Sequence, residues 1–142
     1  MKYVSLLLIS LTLFSNCNST KEVNSKNEEI KNQSEPEGKY IVTSLYGKDV
    51  SEHKLTLEFD KANHKLSGFS GCNIYYCDYT LSDSSLSIGM PGASKRYCEK
   101  TMELEKQFFK ALSELKTKNI QKSTLALKNE KEEEILIATK SE

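Results

Sequence analysis

The sequence predicts a mainly β (α+β) fold: a small, curved, antiparallel, barrel-like sheet packed by one α-helix. Along residues 38–140, short apolar runs that alternate with polar residues recur between polar turns, which is typical of antiparallel strands. One segment, residues 101–116, instead spaces its apolar residues by three and four, which is the period of an amphipathic helix. Many short strands with one helix favour a strongly curved sheet or a small barrel.

The composition excludes one class of partner. The 142 residues carry 20 Lys and Arg against 20 Asp and Glu, which gives a formal net charge of +0 at pH 7. Binding to nucleic acid draws on an excess of positive charge that neutralises phosphates, so no nucleic-acid partner is expected. A chain of this length supports one small hydrophobic core.

An apolar segment near the N-terminus predicts export. A positively charged start is followed by about twelve mostly apolar residues that end at Phe14. This stretch is shorter than the roughly twenty residues that span a bilayer, but it fits a secretory signal. It continues to Asn16-Cys17, which resembles a bacterial lipoprotein signal, where cleavage precedes a cysteine that then carries lipid. We predict a signal peptide over residues 1–16 and lipidation at Cys17. The alternative is an ordinary secretory signal that is cut elsewhere.

Lipidation at Cys17 predicts where the protein resides. A cysteine that carries several acyl chains anchors a protein stably in a membrane, whereas a single chain does not. The next residue is Asn18 rather than Asp, which resembles lipoproteins that are sent on to the outer membrane. We expect a lipid-anchored protein of the bacterial cell envelope, at the outer membrane.

A polar segment follows the anchor. Residues 17–37 are mostly Asn, Ser, Lys, Glu and Gln, with Val23 and Ile30 as the sizeable apolar residues. Such a segment buries too little apolar surface to offset the cost of ordering. We predict a flexible tether, whose root-mean-square length is roughly 25 Å for about twenty residues. The alternative is a peptide that docks on the domain through Val23 and Ile30.

The folded domain is predicted over residues 38–142, with strands first. Tyr40 to Leu45 form a β-rich run that ends at a Gly-containing turn. Residues 54–70 predict a hairpin, because Leu55, Leu57 and Phe59 alternate with polar residues before the turn at residues 60–64. The remaining predicted strands are residues 74–81, 85–88, 123–128 and 134–139.

One helix is predicted over residues 101–116. Thr101 is a candidate N-cap, and Glu103 and Glu105 suit the positive end of the helix dipole. The apolar residues lie on one face, and burying them against the sheet is expected to be a main source of core stability. They are Leu104, Phe108, Ala111, Leu112 and Leu115.

A glycine-containing bend precedes the strand at residue 74. Gly68 and Gly71 allow a backbone geometry that side chains resist, and Cys72-Asn73 stands at that bend. Asn73 is expected to support the turn by hydrogen bonding to backbone, with a ligand contact as the alternative.

Taken in order, several blocks of the sequence resemble the META domain family, which includes HslJ-like bacterial lipoproteins. The resemblance covers nearly all of residues 38–140 and implies a small barrel-like sheet with one helix, in an envelope lipoprotein or secreted protein. The family has been linked to antibiotic (novobiocin) tolerance and stress, and implies no enzymatic activity and no cofactor. Gly71, Cys72 and Asn73 fall in its motif, as structural residues, while Cys77 departs from the family pattern. The matching blocks are Gly38-Lys39-Tyr40, Ser67 to Tyr75, Leu86 to Gly89, Tyr97-Cys98 and Phe108 to Leu112.

Export allows disulfides, and lipidation of Cys17 leaves an odd set of Cys72, Cys77 and Cys98. A Cys72–Cys77 bridge requires a tight bend, because in a straight strand their Cα atoms stand about 17 Å apart, against a limit near 7 Å. A Cys72–Cys98 bridge closes a longer loop and matches the two cysteines of the family pattern. Our hypothesis is Cys72–Cys98 with Cys77 free, and Cys72–Cys77 stays the alternative.

The sequence predicts neither a catalytic nor a metal site. The thiols form no Cys-x-x-Cys pair, and His53 and His64 are not at ligand spacing. Both histidines are expected to be exposed turn residues, away from any thiol nucleophile. Glu103 and Glu105 are two residues apart on a helix, so they do not face each other as an acid–base pair.

The favoured function is a non-enzymatic envelope lipoprotein that acts as a binding or accessory module in envelope stress or antibiotic tolerance, with an unidentified envelope protein as a candidate partner. The alternative is a small-molecule-binding barrel of the envelope. A packed interior favours the first, and an open apolar pocket of several hundred Å³ favours the second. Among Tyr75, Tyr76 and Tyr79, which fall on alternating faces, an exposed tyrosine near the bend is the expected contact surface.

Overall fold

The computed structural model describes residues 34–142. The predicted signal peptide over residues 1–16, the predicted lipidation site Cys17 and most of the predicted tether lie outside the described residues. Among residues 34–142, no helix combines the length and the apolar character needed to cross a bilayer.

Short strands account for about half of the described residues, and one α-helix interrupts them. A single 3-10 turn, Ser51–His53, links the second and third strands. The helix α1 is Met102–Glu114. The strands are β1 Gly38–Leu45, β2 Lys48–Asp49, β3 Thr56–Asp60, β4 Lys65–Phe69, β5 Ile74–Ser82, β6 Ser85–Ile88, β7 Gly92–Ala93, β8 Thr117–Gln121, β9 Thr124–Lys128 and β10 Glu134–Lys140.

The strands close into a barrel. Eight of them follow the antiparallel order β1-β3-β4-β5-β6-β8-β9-β10, and β10 pairs back onto β1 from Tyr40 opposite Lys140 to Leu45 opposite Leu136. The two-residue strands β2 and β7 add to β1 and β5. The predicted mainly β fold with one helix is therefore confirmed, as an eight-stranded antiparallel closed barrel.

The alternation of apolar and polar residues that the sequence shows is found in the strands of the barrel wall. In β3, Leu57 and Phe59 are buried while Glu58 is exposed, and in β5 the buried positions are Tyr75, Cys77 and Tyr79. Successive side chains of a strand point to opposite faces, so one set fills the interior. The largest fully buried side chains are Tyr75, Tyr79, Phe108, Leu55, Leu57, Leu66, Leu86, Leu112, Leu115, Leu125, Leu127 and Leu136.

Helix α1 completes this core with its apolar face. Phe108, Ala111 and Leu112 are buried, and the Phe108 ring meets the edge of the Tyr75 ring at a centroid distance of 5.4 Å. The predicted core role of the stripe is confirmed for these residues and for Leu115, whereas Leu104 is half-buried.

The ends of the helix differ from the prediction. It stops at Glu114, because Leu115 is already extended, and the chain enters β8 at Thr117. Thr101 stands at the N-cap position, but its side chain makes no capping hydrogen bond. Strand β8 was not predicted, since its sequence Thr-Lys-Asn-Ile-Gln holds one large apolar residue, and its second buried position is Lys118.

The packed part of the chain starts before Gly38. Residues 34–37, which the sequence assigned to the end of the tether, lie against the barrel: Pro36 is buried and Glu35 is half-buried. The carboxylate of Glu35 accepts a hydrogen bond from the Tyr79 hydroxyl at 3.1 Å. This segment covers one end of the barrel.

Candidate functional site

The bend before β5 is joined covalently to the loop before the helix. Cys72 and Cys98 form a disulfide across 26 residues of sequence, with their Cα atoms 5.8 Å apart. This is the pairing that the sequence and the family resemblance favoured over Cys72–Cys77. Cys77 is free and buried.

The two glycines of the bend are needed for close packing. A Cβ on Gly68 would lie 2.1 Å from the carbonyl oxygen of Thr56, on the neighbouring strand β3. Gly71 has φ +97°, a region that favours glycine, and its Cβ would meet Leu55 Cδ2 at 3.1 Å. The absence of a side chain at these two glycines therefore allows close packing against β3, Leu55 and Leu104 in the first turn of α1.

Asn73 joins the bend to two other segments. Its Oδ1 accepts hydrogen bonds from the Ser94 hydroxyl and the Arg96 backbone N–H, each at 2.8 Å. Its Nδ2 donates to Glu105 Oε2 at 2.9 Å and to the Arg96 carbonyl oxygen at 3.3 Å. As predicted, Asn73 binds backbone, but that backbone belongs to the loop after β7 rather than to its own turn.

Glu105 is the centre of this polar cluster. Its Oε1 accepts from the Ser70 hydroxyl and from the Asn73 backbone N–H. Ser70 and Asn73 are 0% and 4% exposed, so their donors need a protein acceptor. The helix is thus attached to the bend by a carboxylate, next to the disulfide.

Sequence reasoning missed this role of Glu105. The prediction that it does not act as a pair with Glu103 agrees with the structure, in which Glu103 is exposed and pairs with Lys106 at 3.6 Å. No local spacing signals the contact, because Ser70 and Asn73 lie 35 and 32 residues away in sequence.

We expect Glu105→Gln to lower the free energy of unfolding by about 1–3 kcal/mol, because its amide NH₂ replaces an acceptor that Asn73 and Ser70 need. The matched control is Glu103→Gln in the same turn, expected to stay within about 0.5 kcal/mol, since that ion pair is exposed. Urea denaturation of both variants checks this, and equal losses would contradict the assigned role of Glu105.

The free thiol of Cys77 is not activated as a nucleophile. Burial raises the pKa of Cys77 to about 11, and the neighbouring Asp78 adds to the rise. Its Sγ donates to the Leu66 carbonyl oxygen at 3.7 Å. A nucleophilic cysteine needs a lowered pKa and a partner base, so this site holds a structural thiol.

The two histidines lie where the sequence placed them, at turns. His53 is in the 3-10 turn and its Nε2 lies 3.4 Å from Glu52 Oε1. His64 is exposed, and its Nδ1 lies 3.9 Å from Glu35 Oε1. Throughout residues 34–142, no group of three His, Cys, Asp or Glu side chains is arranged to hold a metal ion.

Four of the large exposed hydrophobic side chains lie near the bend. Ile74 and Tyr76 are 68% and 67% exposed on the outer face of β5, and Met90 and Tyr97 are 95% and 76% exposed in the chain that follows β6. Backbone contacts bring the two groups together: Tyr76 pairs with Gly92, and Ser94 N–H donates to the Ile74 carbonyl oxygen at 3.0 Å. We call Ile74, Tyr76, Met90 and Tyr97 the aromatic patch.

A groove lies on a different part of the barrel surface. It has a volume of about 400 Å³ on the outer side of strands β8, β9 and β10. Its lining mixes polar and apolar side chains, whereas the barrel interior is filled by the leucine and aromatic side chains given above. The groove is lined by Asn119, Gln121, Lys122, Thr124, Ala126, Glu134 and Ile137.

Solved structures share this architecture. An NMR structure of a protein from Burkholderia xenovorans matches with a TM-score of 0.61 and 22% identity, over 74% of this chain and 82% of that one. A second NMR structure gives 0.56 and 20%, over 72% and 87%. The crystal structure of a DUF4847 family protein from Bacteroides vulgatus gives 0.58 and 13%, over 80% and 96%. At these identities the likeness shows the fold alone. No curated protein matches the chain.

A closed antiparallel barrel that is filled by side chains and carries an exposed aromatic patch defines a small β-barrel domain. A disulfide joins its bend to the loop before helix α1, and the half-buried carboxylate of Glu105 joins the bend to the helix. The META domain model matches residues 33–142. The chain belongs to the META domain family.

Proposed function

We propose that this protein is a non-enzymatic lipoprotein of the bacterial cell envelope, whose META domain binds an envelope protein through the aromatic patch. Cys17 carries the lipid and anchors the chain at the outer membrane. The domain acts as an accessory module in envelope stress or antibiotic tolerance, the roles to which the family has been linked.

The observation that carries this proposal is the position of the aromatic patch. Apolar residues scattered singly over a surface are ordinary, but a contiguous exposed group marks an interaction site. Tyr76 and Tyr97 supply large, stiff contact surfaces of the kind enriched at protein interfaces. They belong to two neighbouring segments whose backbones pair at Tyr76 and Gly92, which supports a shared contact surface.

The scaffold under the patch is held in place. The Tyr76 ring packs over Gly92, where an added Cβ would come within 3.0 Å of the ring. The loop that carries Tyr97 is fixed by the bonds from Asn73 to Arg96 and by the disulfide at Cys98. A preformed surface loses less entropy when it binds.

The charged side chains beside the aromatic patch indicate which kind of protein partner fits it. Lys95 and Arg96 are exposed between β7 and Tyr97, so they border the patch with positive charge. A partner that fits presents an apolar contact with acidic side chains beside it. The filled interior supports this function over a small-molecule-binding barrel, which needs an apolar cavity.

The experiment is a cross-linking pull-down of the lipidated protein from its own membranes. The double variant Tyr76→Ser/Tyr97→Ser is expected to lose at least tenfold of the enriched partner, while Ile41→Ser, an exposed apolar residue on β1 outside the patch, keeps it. The Cys17→Ser variant, which cannot carry the lipid, is expected to be absent from the membrane fraction. Enrichment that is equal for the double variant and for wild type, or no enriched partner at all, would contradict the proposal.

A further inference from the structure

A carboxylate of the chain itself occupies one end of the barrel. Glu35 Oε1 accepts a hydrogen bond from the Tyr79 hydroxyl at 3.1 Å, and Oε2 lies 3.4 Å from Lys61 Nζ. His64 Nδ1 lies 3.9 Å from Oε1. The Glu35 side chain is 17% exposed. A phenol, an ammonium and an imidazole therefore surround one carboxylate.

A buried lysine belongs to the same end of the barrel. Lys118 is 4% exposed, and its Nζ donates to the Ser34 carbonyl oxygen at 2.6 Å. That oxygen is neutral, and among residues 34–142 Lys118 forms no ion pair within 4 Å. Burial lowers the pKa of Lys118, and the negative charge of Glu35 opposes that shift. Glu35 is the carboxylate whose negative charge acts on this buried cation.

The donors at this end are fixed by the barrel rather than by Glu35. The Tyr79 ring meets the edges of the Phe59 and His64 rings, at centroid distances of 5.3 Å and 5.6 Å. The Tyr79 backbone N–H donates to the His64 carbonyl oxygen at 3.0 Å. Tyr79 and Lys118 come from strands in the barrel wall, whereas Glu35 comes from a short segment at the edge of the domain.

We propose that the barrel end formed by Tyr79, Lys118, Lys61 and His64 is a carboxylate-binding site, and that Glu35 is its resident occupant. An external carboxylate binds there when residues 34–36 lift away from the barrel. Chain segments at a domain edge open at lower free energy than strands of the core, so this exchange leaves the barrel intact.

The surrounding charges limit the ligand. Asp60 also acts on Tyr79, where its negative charge raises the pKa of the phenol together with burial and Glu35. It repels a second negative charge in the ligand. The site therefore suits a single carboxylate, such as a monocarboxylic acid or the end of a peptide chain, rather than a polyanion.

The experiment is chemical rescue with acetate. Glu35→Ala removes the resident carboxylate, and Glu37→Ala, an exposed acid two residues on, is the matched control. Thermal unfolding of the full chain is followed at pH 7 in sodium acetate and in sodium chloride of equal ionic strength. Acetate is expected to raise the unfolding midpoint of Glu35→Ala by about 4 °C relative to chloride. It should leave wild type and Glu37→Ala unchanged.

A second measurement separates binding from a general salt effect. Acetate titrated into Glu35→Ala is expected to shift the NMR signals of Tyr79 and His64 with saturation, and adding Lys118→Met should weaken that binding at least fivefold. Glu35→Gln, which keeps the size of the side chain, serves if Glu35→Ala does not fold. Equal midpoints in acetate and chloride, or the same acetate response in Glu37→Ala, would overturn the proposal.

Discussion

Phe108→Ala is expected to lower the free energy of unfolding by about 3–5 kcal/mol, the range for removing a large aromatic side chain from a core. Phe108 is 0% exposed, and its ring lies against Tyr75 at 5.4 Å and Phe109 at 5.9 Å. The barrel wall around it consists of hydrogen-bonded strands and cannot collapse into the space. Urea denaturation followed by circular dichroism measures the loss.

The control for Phe108→Ala is Met102→Ala in the same helix. Met102 is 39% exposed, so its truncation should cost less than about 1 kcal/mol. A loss below 1 kcal/mol for Phe108→Ala would contradict the assignment of the α1 stripe as the closure of the core.

Removing the disulfide with Cys72→Ala/Cys98→Ala is expected to lower the free energy of unfolding by about 3.5 kcal/mol. A cross-link across 26 residues lowers the conformational entropy of the unfolded chain, and this loss of entropy corresponds to about 3.5 kcal/mol of stability at 25 °C. Equilibrium unfolding of wild type and the double variant measures the difference.

Reducing agent provides the control for the disulfide prediction. Wild type in dithiothreitol should lose stability to the level of the double variant, and the double variant should not respond, because the thiol that remains within residues 34–142, Cys77, is buried and unpaired. Non-reducing peptide mapping of wild type should recover Cys72 joined to Cys98. A recovered Cys72–Cys77 peptide would refute the pairing.

The sequence was sufficient where the signal is local. Leu57 and Phe59 alternate with polar neighbours, and Phe108 and Leu112 repeat at helical spacing, so each element carries its own period. The family resemblance supplied the disulfide partner of Cys72. The barrel itself followed from the number of short strands and the presence of a single helix.

Long-range polar contacts could not be predicted from local sequence patterns in the same way. Half-buried Glu105 is hydrogen-bonded by Ser70 and Asn73, and buried Lys118 donates to Ser34, yet each of these charged residues alone favours an exposed position. The Nζ atom of Lys118 donates to the carbonyl oxygen of Ser34, in a segment that itself looks like a solvated linker in composition. Strand β8 was missed for the same reason, since a lysine stands where the pattern requires an apolar residue.

Closure of β10 onto β1 also determines the order of folding. The pair of Tyr40 and Lys140 spans almost the whole described chain, so the ring of hydrogen bonds cannot form until the C-terminal strand has been synthesised. Contacts between such distant residues form slowly, because a large loop must close first. A chain that ends before β10 leaves β1 and β9 as open strand edges, which pair readily with other chains. The last seven-residue strand thus separates a closed barrel from an aggregation-prone sheet.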